Sequence, residues 1–592
     1  MATETSTPDG QTIDFAGLAE KFEEERVKRL RPDANAQYQE LGDSALEIDR
    51  DPNADPNFQR APITEEVDVL IIGGGFSGLM TAGRLREKGV ADIRIVETGA
   101  DFGGTWYWNR YPGLQCDAES YVYLPMVEEI GVIPSEKYVK GPEIFTHCQG
   151  LAKYYDLYPA TLFQTAVTDA QWREDRKRWI VRTSRGDQIA ARFVVSGTGF
   201  YGSPKLPRIP GMEKFEGHCF HTSRWDYAYT GGTPRGAMTG LKDKVVGIIG
   251  TGATAVQVVP HLAESAKHLF VFQRTPSSVA PRDNKPTDPE WAKSLKPDWA
   301  RERRERYTTF LADLGRFSHE VLLKDGWLED LPAEGGADDA SGAFNTIRLM
   351  KEIHDRIDSI VTDKKTAEAL KPYYHYFCKR PTFSDDYYPT FNRPDVTLVD
   401  THGKGVEAIT AKGLVVDGVE YPLDCLIYST GFDFLADYAR ESGITVTGRD
   451  GLSLEDYWKE GPRTWFGMMT HNFPNFLFMR LPQTSISFNF VHTADEKARH
   501  AAYIISACLQ RGGVAVEPSR EAESWWIDEV VAKSGPGLAF AAICTPAFYN
   551  FEGDESANLT LNGLYGGSSR SYIDQLESWQ QDGTMAGLEM TS

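Results

Sequence analysis

Cysteine is scarce: there are seven in 592 residues, an odd number scattered along the chain, with no C-x-x-C pair among them. That pattern excludes a disulfide scaffold and removes the simplest dithiol-reductase site, and it is what reduced thiols inside a cell look like. No apolar run is long enough to cross a bilayer. Met1–Gly10 also lacks a basic stretch followed by an apolar core, so a cytoplasmic chain is expected. Dense Lys/Arg blocks are missing too. With a formal net charge of -22, non-specific attraction to nucleic acid or anionic membrane is disfavoured, and any phosphate site must be built locally. No metal site is expected, and the sequence leaves open whether the chain is a monomer or a dimer.

What is present is a globular composition, 41% hydrophobic, 25% charged and 12% aromatic, on a chain too long for a single hydrophobic core. Residues 1–60 are polar, with a charged helical stretch near Glu20 to Arg31 and a Pro/Asn/Asp-rich segment from Asp51 to Pro62. They read as an extension laid over the surface, or as a disordered tail.

Val67 to Ile72 is an apolar run that enters Gly73-Gly74-Gly75-Phe76-Ser77-Gly78, after which Leu79, Ala82 and Leu85 recur at helical spacing. This is strand, glycine turn, helix. The unit recurs where Val245 to Ile249 leads into Gly250-Thr251-Gly252-Ala253-Thr254-Ala255, so the fold class is α/β with two Rossmann-like dinucleotide-binding domains. Between them, Trp172 to Val195 alternates polar and apolar residues around Arg185-Gly186-Asp187, the pattern of a hairpin. From about 285 to 370 the chain turns charged and helical, with Trp291, Trp299, Phe310, Leu311, Leu323 and Ile347 as core candidates. That stretch reads as a helical insertion in the second domain. The expected division is 61–203 for the first part of an FAD domain, 204–430 for an NADPH domain, and 431–592 for the second part of the FAD domain with a substrate-pocket segment.

In such a turn the first glycine (Gly73, Gly250) permits the bend and the second (Gly75, Gly252) lets backbone approach a pyrophosphate. The third, Gly78, allows close helix-to-strand packing. Glu97 ends the next strand about 20 residues on, where a carboxylate accepts from ribose hydroxyls. No acid follows the second unit. There Gln273-Arg274-Thr275-Pro276 offers Arg274 to a 2′-phosphate that a carboxylate would repel, which selects NADP. An acid at one site and an arginine at the other point to FAD first and NADPH second.

The segment Phe215-Glu216-Gly217-His218-Cys219-Phe220-His221-Thr222-Ser223-Arg224-Trp225-Asp226 fits F-x-G-x-x-x-H-x-x-x-W-[P/D] and so resembles the fingerprint of the Baeyer-Villiger monooxygenases. Gly103-Gly104-Thr105-Trp106-Tyr107-Trp108-Asn109-Arg110-Tyr111-Pro112-Gly113-Leu114-Gln115-Cys116-Asp117 resembles a second family signature, and the likeness runs from about Val67 to Trp579. The resemblance implies conversion of a ketone to an ester or lactone with NADPH and O2 through a flavin C4a-peroxide. It also implies that Arg380, in Cys378-Lys379-Arg380-Pro381-Thr382, is the catalytic arginine, with Asp117 as the carboxylate that orients it. A fixed guanidinium suits the anions of such a reaction.

Lys379 resembles a lysine that reaches the NADP ribose phosphate. Thr105, Trp106, Tyr123 and Asp433 fall on the flavin side, while Thr254 and Thr275 fall on the nicotinamide side. His221 and Trp225 read as a structural hinge at least as readily as a catalytic pair. Leu481 to Phe490, Cys544 to Asn550 and Gly563 to Gly567 resemble carboxyl-terminal family segments. One departure is Gly141, where many relatives carry glutamine. With the long amino-terminal extension it implies a branch acting on large cyclic or polycyclic ketones. The rivals are an N- or S-oxygenating flavin monooxygenase, a flavin disulfide reductase and a nucleotide sensor without activity.

Overall fold

A computed structural model describes residues 4–6, 12–39, 50–199, 201–312, 342–433, 438–480, 482–485, 489–554 and 557–591. The strand Thr64–Ile72 is apolar at its inner end because it lies inside a sheet. It runs parallel to Ile93–Val96 on one side and to Gln188–Ser196 on the other, with Val69, Leu70 and Ile71 fully buried. Beyond Gln188–Ser196 the sheet turns antiparallel through Arg178–Thr183 and Val167–Arg173, and Thr445–Thr447 closes that edge. The expected hairpin is there, turning at Gly186. Phe476–Phe478 returns from far along the chain to pair with Val194–Ser196, so the carboxyl-terminal third completes the first sheet.

The second sheet is wholly parallel, in the order His218–His221, Cys425–Tyr428, Val245–Ile249, His268–Gln273, Val396–Asp400. The glycine turns lie at the carboxyl ends of Thr64–Ile72 in the first sheet and Val245–Ile249 in the second, where open α/β sheets bind ligands. The chain therefore has two Rossmann-type dinucleotide-binding domains. The insertion is helical as expected, with Pro289–Ser294, Trp299–Ala312, Gly342–Ile360 and Lys364–Leu370. Ile347 is buried, and Trp291 and Trp299 pack edge to face. The side chains of Phe310, Leu311 and Leu323 lie outside the described residues.

The amino-terminal stretch is packed on the protein. Its helix runs from Phe15 to Arg29, capped where the Asp14 carboxylate accepts the Gly17 N–H at 2.9 Å. Phe22 is buried against the rings of Tyr373 and His375, just past the insertion. Among the described residues no helix is long and apolar enough to cross a membrane.

One expectation fails. Cys378 and Cys544 form a disulfide, their Cα atoms 5.0 Å apart, so the thiols are not all reduced. The pair is separated by 166 residues and carries no local motif, so the fold alone brings it together. The bond joins the Lys379-Arg380 segment to the carboxyl-terminal segment that follows Cys544. Cys116, Cys148, Cys219, Cys425 and Cys508 are free. Labelling the denatured, unreduced protein with a maleimide should add five tags by mass, and prior reduction should raise this to seven. Seven tags without reductant would refute the crosslink.

Candidate active site

A continuous cleft of about 1240 Å³ runs between the sheets and touches both glycine turns, Arg380 and Lys379. Gly73 and Gly250 bend the chain at φ +98° and +109°, outside the range of most side chains. At Gly78 an added Cβ would lie 1.9 Å from the Gly73 carbonyl oxygen, so the helix Phe76–Glu87 meets its strand there only as glycine. Gly252 is the opposite case. A Cβ on it would meet no atom within 4 Å, and it opens on the cleft at the start of the helix Ala253–Ser265. That room, with helix N–H groups facing it, is what a pyrophosphate needs.

On the first side, Glu97 is buried, and its carboxylate accepts the backbone N–H of Gly74 at 2.5 Å and of Gly99 at 2.6 Å. Burial raises its pKa, opposed by those donors. Thr105 and Trp106 begin a short helix, and the Trp106 ring meets Tyr123 edge to face at 5.7 Å; all three line the cleft. Asp433 stands at the edge of the cleft, next to the lining residue Phe432. Its carboxylate pairs with Arg440 at 3.0 Å, and it is not among the residues that line the cleft.

On the second side, Arg274 and Thr275 follow the strand His268–Gln273, and Thr254 lines the cleft from the first turn of the helix Ala253–Ser265. The Thr275 carbonyl accepts the Thr251 hydroxyl at 2.6 Å, which fixes the loop. Lys379 comes from a different part of the chain, and its ammonium donates to the Pro546 carbonyl at 3.0 Å. Burial first, then the Arg274 charge, pulls its pKa down to about 8.

Between the two turns stands an ion triad. The Asp117 carboxylate accepts from Arg380 Nη2 at 2.8 Å through one oxygen and from Arg282 Nη2 at 2.5 Å through the other. Arg282 is buried and also donates to the carbonyls of Cys116 and Phe383, both at 2.7 Å, so Asp117 is held from behind. Arg380 is the partner that opens on the cleft, with 40% of its side chain accessible against 5% for Arg282. Burial opposes the charge, but Asp117 together with Tyr201, Cys116 and Tyr549 more than offsets that cost and raises the Arg380 pKa, so the guanidinium stays charged. Sequence reasoning found Arg380 and Asp117 but missed Arg282, which no motif marks.

The fingerprint segment lies behind the site. His221 is buried, its Nδ1 accepting the Ser223 N–H at 3.2 Å, and desolvation lowers its pKa to about 3, so it is neutral. Trp225 is buried, donates to the Thr230 hydroxyl at 3.2 Å and packs against Phe220. Asp226 caps the next turn by accepting the Tyr229 N–H at 3.1 Å and pairs with His218 at 2.9 Å. Gly217 lies under the Phe215 ring, where a side chain would collide. Arg224 stacks on Trp108 at 4.1 Å, and Tyr227 donates to the Arg110 carbonyl, which ties this segment to the first domain. None of the fingerprint side chains from Phe215 to Thr230 lines the cleft.

The second signature is also explained by contact between domains. The Tyr111 hydroxyl donates to Gln257 at 2.9 Å, and Gly113 lies so close to the helix Ala253–Ser265 that a Cβ would come within 2.5 Å of the His261 ring. At Gly141 a Cβ would fall 2.7 Å from Leu114 Cδ2, so a larger residue would have to displace part of the cleft wall. Of the expected carboxyl-terminal segment, Gln483 and Phe490 are placed, Phe490 on the cleft, while Leu481, Ile486, Ser487 and Phe488 lie outside the described residues.

Comparison with known proteins decides the family. Residues 70–309 match the family described as pyridine nucleotide-disulphide oxidoreductase. The chain is 46% identical to Baeyer-Villiger monooxygenase ATR8 of Stachybotrys chlorohalonatus, over 98% of its own length and 95% of the relative's. The chain belongs to the Baeyer-Villiger monooxygenases. It is also 46% identical to neopentalenolactone D synthase of Streptomyces avermitilis, over 98% and 99% of the two chains. Its fold superposes on the polycyclic ketone monooxygenase of Thermothelomyces thermophila with a TM-score of 0.90, at 37% identity, covering 98% and 99%. Solved complexes of more distant relatives, 29% identical over 90% of this chain, hold FAD and NADP. The two glycine turns and the room at Gly252 fit both groups. This Baeyer-Villiger monooxygenase is therefore an enzyme that uses FAD and NADPH.

Because nothing stands near the Gly252 Cβ position, Gly252→Ala should fold with an unchanged melting temperature and flavin spectrum. It should still lose at least about tenfold in NADP+ affinity, measured by calorimetry, because the methyl meets the pyrophosphate. Unchanged NADP+ binding would remove this turn from the nicotinamide site.

Proposed function

We propose that the flavin lies along the first glycine turn beside Glu97, Thr105, Trp106 and Tyr123. The nicotinamide dinucleotide lies along the second turn, with Arg274, Thr275 and Lys379 facing its 2′-phosphate. On this reading residues 61–203 and 431–592 form the flavin domain and 204–430 the nicotinamide domain. The observation that carries it is the Arg380–Asp117 pair, which opens into the one cleft that reaches both turns.

Reduced by NADPH, bound FAD supplies the activated oxygen; the chain supplies charge, position and dryness. Arg380 is charged, fixed by Asp117 and aimed into the cleft, so it stabilises the negative charge that develops on a ketone oxygen as the ester or lactone forms. Tyr201, Phe377, Phe432, Phe490 and Tyr549 line the cleft and offer an apolar wall to the body of the substrate. A bulky cyclic or polycyclic ketone is the substrate class favoured. The likeness to a polycyclic ketone monooxygenase supports it, as does Gly141, whose missing side chain lets Leu114 of the cleft wall pack back against it. Oxygenation of nitrogen or sulfur develops no such oxyanion and gives Arg380 no task. The disulfide does not revive a dithiol reductase, because Cys378 and Cys544 are buried and neither lines the cleft.

Arg380→Ala should bind NADP+ as the wild type does, yet form ester at least about a hundredfold more slowly with any ketone the wild type accepts. Ketone turnover within a few fold of wild type would refute the assignment. A second expectation concerns pH. The Lys379 ammonium must be charged to hold a phosphate, and its pKa of about 8 is below that of a free lysine. Affinity for adenosine 2′,5′-bisphosphate should therefore be full at pH 7 and fall as pH rises through about 8, with Lys379→Arg abolishing the fall. A flat profile to pH 9 in the wild type would exclude Lys379 as a phosphate ligand.

A further inference from the structure

Sequence reasoning left the amino-terminal extension without a task. In the structure Arg31, Gln37 and Tyr38 of it line the cleft with Arg274 and Thr275, while Arg29 does not itself line the cleft and meets it through Thr275. Tyr38 and Gln39 pair antiparallel with Leu206 and Pro207, and the Asn35 amide donates to the Phe551 carbonyl at 3.3 Å. Arg29, at the end of the first helix, donates through Nε to the Thr275 hydroxyl at 3.0 Å and has 9% of its side chain accessible. Gln37 accepts from Arg274, and the Lys205 ammonium lies 3.8 Å from the centre of the Tyr38 ring.

The charges around this pocket do not balance. Arg29, Lys205, Arg274 and Lys379 bring four cations. Glu552 faces Arg274 at 3.3 Å and Lys205 at 3.6 Å, while Glu25 takes Arg29 and is shared with the surface residues Lys21 and Lys28. Arg31, nearer solvent, is matched by Asp33. Four largely enclosed cations against two carboxylates leave two positive charges in excess, which is the charge of a phosphate monoester dianion. Mutual repulsion is visible in Lys379, whose charged form is opposed by Arg274, Arg29 and Lys205 after desolvation.

We propose that the amino-terminal extension is part of the dinucleotide site, and that Arg29 is a third cation directed at the 2′-phosphate, set by the Thr275 hydroxyl and held in reserve by Glu25. The inference rests on the reading that this pocket takes the ribose phosphate of NADPH. It assigns the extension a role in choosing NADPH over NADH, with Tyr38 and Gln37 as the wall that excludes water behind the phosphate.

The test is calorimetric titration of the full-length, flavin-loaded protein with adenosine 2′,5′-bisphosphate and with 5′-AMP. Arg29→Gln should weaken the bisphosphate about tenfold and leave 5′-AMP within about twofold, while Arg29→Lys recovers most of the loss. Glu25→Gln keeps Arg29 but removes its competing carboxylate, and should strengthen the bisphosphate two- to fivefold. Equal losses for both ligands in Arg29→Gln would make the contact merely structural and overturn the proposal, as would Glu25→Gln indistinguishable from wild type. A wild type that does not prefer the bisphosphate to 5′-AMP would overturn the phosphate assignment of the pocket itself. Preference retained in full by Arg29→Gln would overturn only the role of Arg29.

Discussion

Asp117 is one carboxylate shared by two guanidiniums, and the active site is organised around that sharing. A buried charge is tolerated when it is paired and hydrogen-bonded, and removing one partner of such a pair costs about 3–5 kcal/mol. Arg282 satisfies the rear oxygen and is itself anchored by two carbonyls, which leaves the front oxygen to orient Arg380. An arginine alone at a cleft would sample many rotamers. Arg380 is instead presented as a fixed charge in a site walled by aromatic rings, where electrostatic stabilisation is worth far more than in water.

That site exists only when two sheets meet correctly, and contacts between domains are concentrated in the sequence motifs. Tyr111 and Gly113 seat the Asp117 loop against the helix of the second turn through Gln257 and His261. The fingerprint segment reaches back to Trp108 and Arg110 from the other side. These motif residues therefore join the two sheets as well as flanking the cleft.

Much of the fold was legible because it rests on local physics. A strand, a glycine turn and a helix leave a periodic trace, and both units are placed where Gly73 and Gly250 mark them. Glu97 and Arg274, picked out by charge, both line the cleft, each beside one of the glycine turns. Other features depend on long-range encounter and leave no trace in the sequence. Cys378 and Cys544 meet across 166 residues, Arg282 faces Asp117 across 165, and Arg29 reaches Thr275 from an extension that composition alone did not separate from a disordered tail. The Asp433–Arg440 ion pair was not legible either, since the position after Thr430-Gly431 did not reveal Arg440 as a partner.

The central claim is that Asp117 holds a charged Arg380 where oxygen meets the ketone. Its most direct test is the partition of NADPH-derived reducing equivalents in Asp117→Ala, read as ester formed and hydrogen peroxide released per NADPH consumed. The account predicts that the variant still oxidises NADPH but diverts most of the flux from ester to peroxide. An ester yield per NADPH equal to that of the wild type would contradict it.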